Sequence, residues 1–178
     1  MSAPGKILIV YYSRSGTTRR IAELLASELG ADIEAIREQG VQDARAARAG
    51  ARGYVRSLLD ALRHRQVKVV PPLHDLSAYE LVIVGTPVWA RRASAPAMAW
   101  LKAQGPRIRH LALFCTLGGR GSRSAFEQMT KAAGKAPLGV CAISAHDLRR
   151  RIDGTKRQGF GQKVRHRLAK LRETEWVI

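Results

Sequence analysis

Acidic residues are scarce in this chain: 14 Asp plus Glu stand against 31 Lys plus Arg, a formal net charge of +17 over 178 residues. Cysteine is scarcer still. Cys115 and Cys141, 26 residues apart, match neither a CxxC pair nor a zinc spacing, and each sits in an apolar run where cysteine acts as a small hydrophobe. A chain of this length buries a core without disulfides or a structural metal. Its five histidines (His64, His74, His110, His146 and His166) show no HExxH or i, i+4 pairing, so no metal site is expected. The longest apolar runs, such as Leu81 to Val84, are far short of the roughly 18 to 20 residues that span a bilayer. The chain passes from Met1 into Lys6-Ile7-Leu8-Ile9-Val10 with no long basic region and no small-residue cleavage site. That start predicts no signal peptide and a cytoplasmic protein. Walker A, a GxGxxG after a strand, and a GxSxG around Ser13 are all missing, which removes the usual arguments for a P-loop NTPase, a Rossmann dinucleotide site or a serine hydrolase.

The positive charge has two readings. Arg outnumbers Lys by 23 to 8 and Ala is abundant, as coding bias would give, but bias does not explain the deficit of acids. The excess is also uneven, because residues 149–172 hold ten basic residues and one acid, Asp153. That tail is a candidate contact surface for nucleic acid or anionic membrane. Phe160, Val164, Leu168 and Leu171 recur in it at helical spacing, so it also reads as an amphipathic helix packed on the sheet with a solvated basic face.

What is present is an alternation of β-rich apolar runs with segments of helical periodicity, the pattern of a parallel sheet covered by helices on both faces. Strands are predicted at Ile7 to Tyr12, Asp32 to Ile36, Leu81 to Thr86, Leu111 to Cys115 and Val140 to Ser144. Ile21, Leu24, Leu25 and Leu29 form a helical stripe that ends at Gly30, a favourable C-terminal cap. Further helices are expected around Trp100 and Leu101, around Phe126 and Met129, and in the tail. The 44 residues between Ile36 and Leu81 exceed a minimal βαβ unit. They read as an Ala/Arg/Gly-rich loop, a helix carrying Tyr54, Val55, Leu58, Leu59 and Leu62, and a short extended piece at Val67 to Val70 stopped by Pro71-Pro72. No repeat or linker interrupts the chain, so residues 1–178 are expected to form one domain.

Three strand ends carry ligand-type loops. After the first strand, Ser13-Arg14-Ser15-Gly16-Thr17-Thr18 compresses four hydroxyls and a glycine in front of a helix. Backbone N–H groups at a helix N-terminus, short hydroxyl donors and a glycine allowing close approach suit a phosphate. A helix cap alone needs only one Ser or Thr. After the third strand, Thr86-Pro87-Val88-Trp89-Ala90 sets a tryptophan in a proline-initiated turn, where it can lie against a flat aromatic ligand or simply pack on its own loop. Strands one and three flank the point where the winding reverses, which is where such sheets bind ligands. After the fourth strand, Thr116-Leu117-Gly118-Gly119-Arg120-Gly121 has three glycines in four residues, as a backbone that approaches a ligand or a flexible surface turn would have.

On these residues the chain resembles the flavodoxin family, and more closely its short bacterial members with a TPVWA second loop and an FCTxGG third loop. Ser13 to Thr18 is similar to the family's S-x-[ST]-G-[NT]-[ST] phosphate loop, Thr86 to Ala90 to its loop over the flavin ring, and Thr116 to Gly119 to its loop at the pyrimidine edge. The resemblance covers most of the chain. It implies a flavodoxin-like doubly wound five-stranded parallel sheet of order 2-1-3-4-5, flavin mononucleotide (FMN) as cofactor, and redox chemistry at the flavin. The family's electron carriers are acidic, whereas Arg14, Arg91, Arg92 and Arg120 stand near the expected ring. A two-electron oxidoreductase passing electrons from NAD(P)H to a quinone or similar small acceptor is therefore the leading expectation. The alternative is a non-enzymatic electron-transfer protein that docks a reductase or acceptor protein. No residue of the chain is expected to act as a catalytic group itself, and Cys115, beside the third loop, is read as core or, less simply, as a redox thiol.

Overall fold

The computed structural model describes residues 5–40 and 67–175. Its strands are β1 (Ile7–Tyr11), β2 (Asp32–Ala35), β3 (Leu81–Trp89), β4 (Arg92–Ala93), β5 (His110–Leu117) and β6 (Val140–Ser144). Its α-helices are α1 (Thr17–Leu29), α2 (Ala95–Gln104), α3 (Ser122–Ala133), α4 (Ala145–Arg150) and α5 (Asp153–Glu175). The sheet runs β2-β1-β3-β5-β6 with every neighbouring pair parallel. This is the expected five-strand order; the two-residue β4 is an addition that pairs antiparallel with the end of β3. The expected helix carrying Tyr54 to Leu62 lies outside the described residues.

Burial explains the continuous apolar runs. Residues 8–10, 81–88 and 111–116 are buried, with helices covering both faces of the sheet. One face packs Leu8, Val10, Val82, Val84, Leu111 and Leu113 against Trp100 and Leu101 of α2 and Ala125 and Met129 of α3. The other packs Ile9, Ile83, Ala112 and Phe114 against Ile21, Leu25 and Leu29 of α1 and Phe160, Val164 and Leu168 of α5. The basic tail is thus a helix whose apolar stripe completes the core, as its periodicity predicted. Three of its cations meet acids: Lys156 pairs with Asp147, Arg157 with Glu28 and Asp153, and Arg172 with Glu80.

The extended piece before Pro71 also forms. Val69 bridges Glu38 antiparallel, with Gln39 N–H donating to Lys68 O at 2.9 Å and Val70 N–H to Arg37 O at 2.8 Å. The buried Glu34 carboxylate of β2 then accepts the N–H groups of Leu73 and His74 and lies 2.7 Å from His74 Nδ1. These bonds fix the return path into β3. Among the described residues no helix is long and apolar enough to cross a membrane.

Two strand ends differ from expectation. The third strand does not stop at Thr86 for a proline-initiated turn. It continues to Trp89, because Pro87 and Val88 lie beside Thr116 and Leu117 of β5 while Val88 and Trp89 also face Ala93 and Arg92 of β4. The turn falls instead at Ala90-Arg91. Likewise β5 runs on to Leu117, since Cys115, Thr116 and Leu117 have partners in β6 as well as β3.

Candidate functional site

The parallel register sets Tyr11, Gly85 and Phe114 side by side, so the loops after β1, β3 and β5 leave the same end of the sheet. Gly85 permits that alignment: a Cβ there would fall 2.0 Å from Cζ of Phe114, whose ring lies across the strand.

The first loop begins where Tyr12 N–H donates to Gly85 O at 3.0 Å. Gly16 caps α1 in the left-handed region (φ +95°), its N–H donating to Ser13 Oγ at 3.1 Å. The first helical bond runs from Arg20 N–H to Gly16 O. The N–H groups of Thr17, Thr18 and Arg19 precede it and have no intrahelical acceptor, which makes this terminus attractive to an anion. Arg14, Ser15, Gly16 and Thr17 are exposed, and nothing lies within 4 Å of the space a Cβ on Gly16 would take. Thr18 is different. It is buried, with Oγ1 2.7 Å from Oγ1 of Thr116, so the first and third loops are braced to each other beneath the surface.

In the second loop Thr86 is buried and braces its own turn: Oγ1 accepts Ser94 N–H at 3.0 Å and lies 2.9 Å from Ser94 Oγ, which caps α2. Val88 is buried, Ala90 is exposed, and Trp89 keeps 46% of its surface open. An indole left this accessible among otherwise buried strand residues offers a flat apolar face. Trp89 and Arg92 are cross-strand partners around the two-residue turn. Ala90 (φ +48°) and Arg91 (φ +63°) both occupy the left-handed region. Such hairpin turns favour Asn-Gly, and side chains with a Cβ there cost about 1–2 kcal/mol each.

Two residues hold this strained turn, and sequence reasoning missed both roles. Gln128 of α3 donates from Nε2 to Arg91 O at 3.2 Å and accepts Ala93 N–H on Oε1 at 3.3 Å. Gly121 lets the chain pass: a Cβ there would lie 2.6 Å from Cα of Arg91. No local pattern announces either contact, because each joins a helix start or face to a turn some thirty residues earlier.

In the third loop Thr116 is buried, Leu117 half-buried, and Gly118, Gly119 and Arg120 exposed. Neither Gly118 nor Gly119 would meet a protein atom within 4 Å through an added Cβ, so both positions face open space. Gly121 (φ +112°) then caps α3 as Gly16 caps α1.

The rim is electropositive. Arg14, Arg91, Arg92 and Arg120 are all exposed, and among the described residues none of them makes an ion pair, whereas Arg19, Arg107, Arg109, Arg123, Arg157 and Arg172 do. Below the rim, Tyr12 donates its hydroxyl to Glu38 at 2.6 Å; burial and this carboxylate push its pKa up to about 12, keeping it neutral. The Cys115 thiol is fully buried and pushed up to about 12 by desolvation, which assigns it to the core and removes the redox-thiol reading.

The motifs predicted to act together are therefore gathered at three adjacent strand ends. A family model described as Flavodoxin matches residues 6–150. The chain belongs to the flavodoxin family. Solved structures agree at the level of fold. A flavoprotein from Lactobacillus acidophilus NCFM, in complex with FMN, is 24% identical with a TM-score of 0.62, over 83% of this chain and 98% of that one. A flavodoxin, WrbA-like protein from Agrobacterium tumefaciens is 15% identical with a TM-score of 0.55, over 94% of this chain and 99% of its own. A flavodoxin from the domain Archaea is 16% identical with a TM-score of 0.53, over 92% and 99%. No curated protein matches the sequence of this flavodoxin-family chain.

Proposed function

We propose that the chain binds FMN and uses it as an oxidoreductase, passing electrons from NAD(P)H to a quinone or another small acceptor. The observation that carries the reading is the half-exposed Trp89 set among three loops at the carboxyl ends of three neighbouring parallel strands. That is where doubly wound sheets take nucleotides. The residues suit FMN by their chemistry. Ser13, Arg14, Ser15, Gly16, Thr17 and Thr18 would hold the phosphate through backbone N–H groups and hydroxyls. Thr86, Pro87, Val88, Trp89 and Ala90 would flank one side of the ring, and Thr116, Leu117, Gly118 and Gly119 its polar edge. At Gly16, Gly118 and Gly119 no protein atom lies within 4 Å of an added Cβ, so the backbone is open to a ligand at these three points.

Bound FMN supplies the two-electron chemistry, while the chain orients it and tunes it. In the net reaction NAD(P)H gives up a hydride, two electrons and one proton; with one further proton from solvent these convert a quinone to its quinol. The chain's own contribution is the arginine rim, since positive charge near the ring stabilises the negative charge that reduction adds. Each factor of ten in that preference corresponds to about 1.4 kcal/mol. This favours a hydride-accepting enzyme over a low-potential carrier.

The test is direct. Purified chain reconstituted with FMN should take on a flavin absorbance spectrum and oxidise NADPH steadily when a quinone is present. Flavin reduction that occurs only after a separate reductase is added would assign the chain to electron transfer between proteins. A chain that FMN cannot reconstitute would defeat both readings.

A further inference from the structure

The turn at Ala90-Arg91 is an unfavourable place for an arginine. Both residues hold positive φ, a conformation that glycine adopts without strain, yet the chain sets a long cationic side chain there and builds three supports around it. Gln128 binds the Arg91 carbonyl and the Ala93 N–H, Gly121 leaves room for Arg91 Cα, and Arg92 is locked opposite Trp89 by the β3–β4 pairing. Backbone strain kept by such surroundings clusters at functional sites, and of the two strained residues only Arg91 carries a side chain able to bind a ligand. The side chains of Arg91, Arg92 and Arg120 are exposed, and among the described residues no carboxylate pairs with them. Arg120 immediately precedes Gly121, where an added Cβ would lie 2.6 Å from Arg91 Cα, so the second and third loops run close together at the positions that carry these cations.

We propose that Arg91 and Arg92, with Arg120, form a preorganised receptor for a phosphate monoester of the electron donor, so that the enzyme prefers the 2′-phosphorylated nicotinamide dinucleotide to the unphosphorylated one. This rests on the reading that a nicotinamide dinucleotide reduces the flavin. The loop at Ser13 to Thr18 offers the FMN phosphate its own N–H groups and hydroxyls at the start of α1, which leaves the guanidiniums of the second and third loops for an anion carried by a second molecule. Guanidinium groups suit it, because their planar donor forks bind phosphate oxygens in pairs and stay charged at any working pH.

The probes are 2′,5′-ADP, which carries the distinguishing phosphate, and 5′-AMP, which lacks it. Both are titrated calorimetrically into the chain with and without FMN, and reduction rates with NADPH and NADH are measured on the reconstituted protein. The structure leads us to expect 2′,5′-ADP to bind about tenfold more tightly than 5′-AMP, with a matching preference for NADPH in kcat/KM. Arg91→Gly separates function from folding: it removes the guanidinium and relieves the turn, so Tm should rise by about 2–4 °C while 2′,5′-ADP affinity falls about tenfold. Arg92→Gln should weaken 2′,5′-ADP likewise, and Arg91→Lys should restore part of the preference. Equal binding of the two probes by the unaltered chain, or an Arg91→Gly variant that binds 2′,5′-ADP undiminished, overturns the proposal. If the probe preference holds but neither dinucleotide reduces the flavin, the receptor stands and the donor reading of the preceding subsection fails.

Discussion

Thr18 and Thr116, 98 residues apart, share a buried hydrogen bond of 2.7 Å between their hydroxyls. Thr18 lies in the first turn of α1 behind the candidate phosphate loop and Thr116 near the end of β5 before the glycine loop, so this bond ties the two loops together. Thr18→Val leaves the Thr116 hydroxyl buried without its partner. A loss of about 1–3 kcal/mol is expected in urea unfolding, together with weaker FMN binding. Thr18→Val/Thr116→Val removes both hydroxyls at nearly constant volume and should recover most of that stability. A double variant no more stable than the single ones would mean that the hydroxyl pair is not what braces the loops.

Gly85 is matched to Phe114. The ring occupies the place of a Cβ, with Cζ and Cε1 2.0 and 2.2 Å from it, and both residues are fully buried in the middle of the sheet. An alanine methyl would force the buried Phe114 ring to shift within the core, so Gly85→Ala should cost about 1–3 kcal/mol as an overpacked variant. Gly85→Ala/Phe114→Leu returns space and should regain part of it. Thermal unfolding of the three proteins decides the matter; an alanine variant as stable as the parent would contradict the packing described.

Much of this arrangement was legible in the sequence, for reasons that particular residues make plain. Leu81 to Val84 and Leu111 to Phe114 are buried on both sides, and burial on both sides writes an unbroken apolar run that needs no tertiary knowledge to read. Helix α1 announces itself through Ile21, Leu25 and Leu29 and stops at Gly30, whose φ of +63° suits glycine. The β3–β4 hairpin was illegible because both local signals mislead. Pro87 reads as a stop, though here it stands in the ladder beside Thr116, and Ala-Arg is not a dipeptide that turn chemistry predicts. The brace between Thr18 and Thr116 and the hold of Gln128 on Arg91 were hidden for a different reason. They are contacts between elements, and spacing along one element carries no trace of them.

Both cysteines lie inside the sheet, and burial raises their thiols to about 12 for Cys115 and about 11 for Cys141. The thiolate is the reactive form, so at pH 8 almost none is present and access is closed as well. Ellman's reagent should therefore find no rapidly reacting thiol in the native protein and two after unfolding. A fast-reacting equivalent in the native state would reopen the redox reading of Cys115.

Asp147 supplies the pH dependence. It is buried in the capping box of α4, where one carboxylate oxygen accepts the Ser144 N–H at 2.7 Å and the Ser144 hydroxyl at 2.8 Å and meets Lys156 at 2.7 Å. The hydrogen bond from Lys156, then those from Ser144, hold its pKa down to about 2 from the ordinary 3.8, against the cost of desolvation. A carboxyl group depressed in the folded state stabilises fully above its unfolded pKa, so this contribution is complete above about pH 5 and is lost as pH falls from about 4 toward 2. Lys156 is 45% exposed and partly screened, which limits the contribution to about 1–2 kcal/mol. Asp147→Asn should therefore be less stable than the parent by that amount at pH 7, and the gap should close as the two proteins are unfolded by urea at successively lower pH. A gap that stays constant down to pH 2 would show that Asp147 acts through its shape and hydrogen bonds alone, with no contribution from its charge.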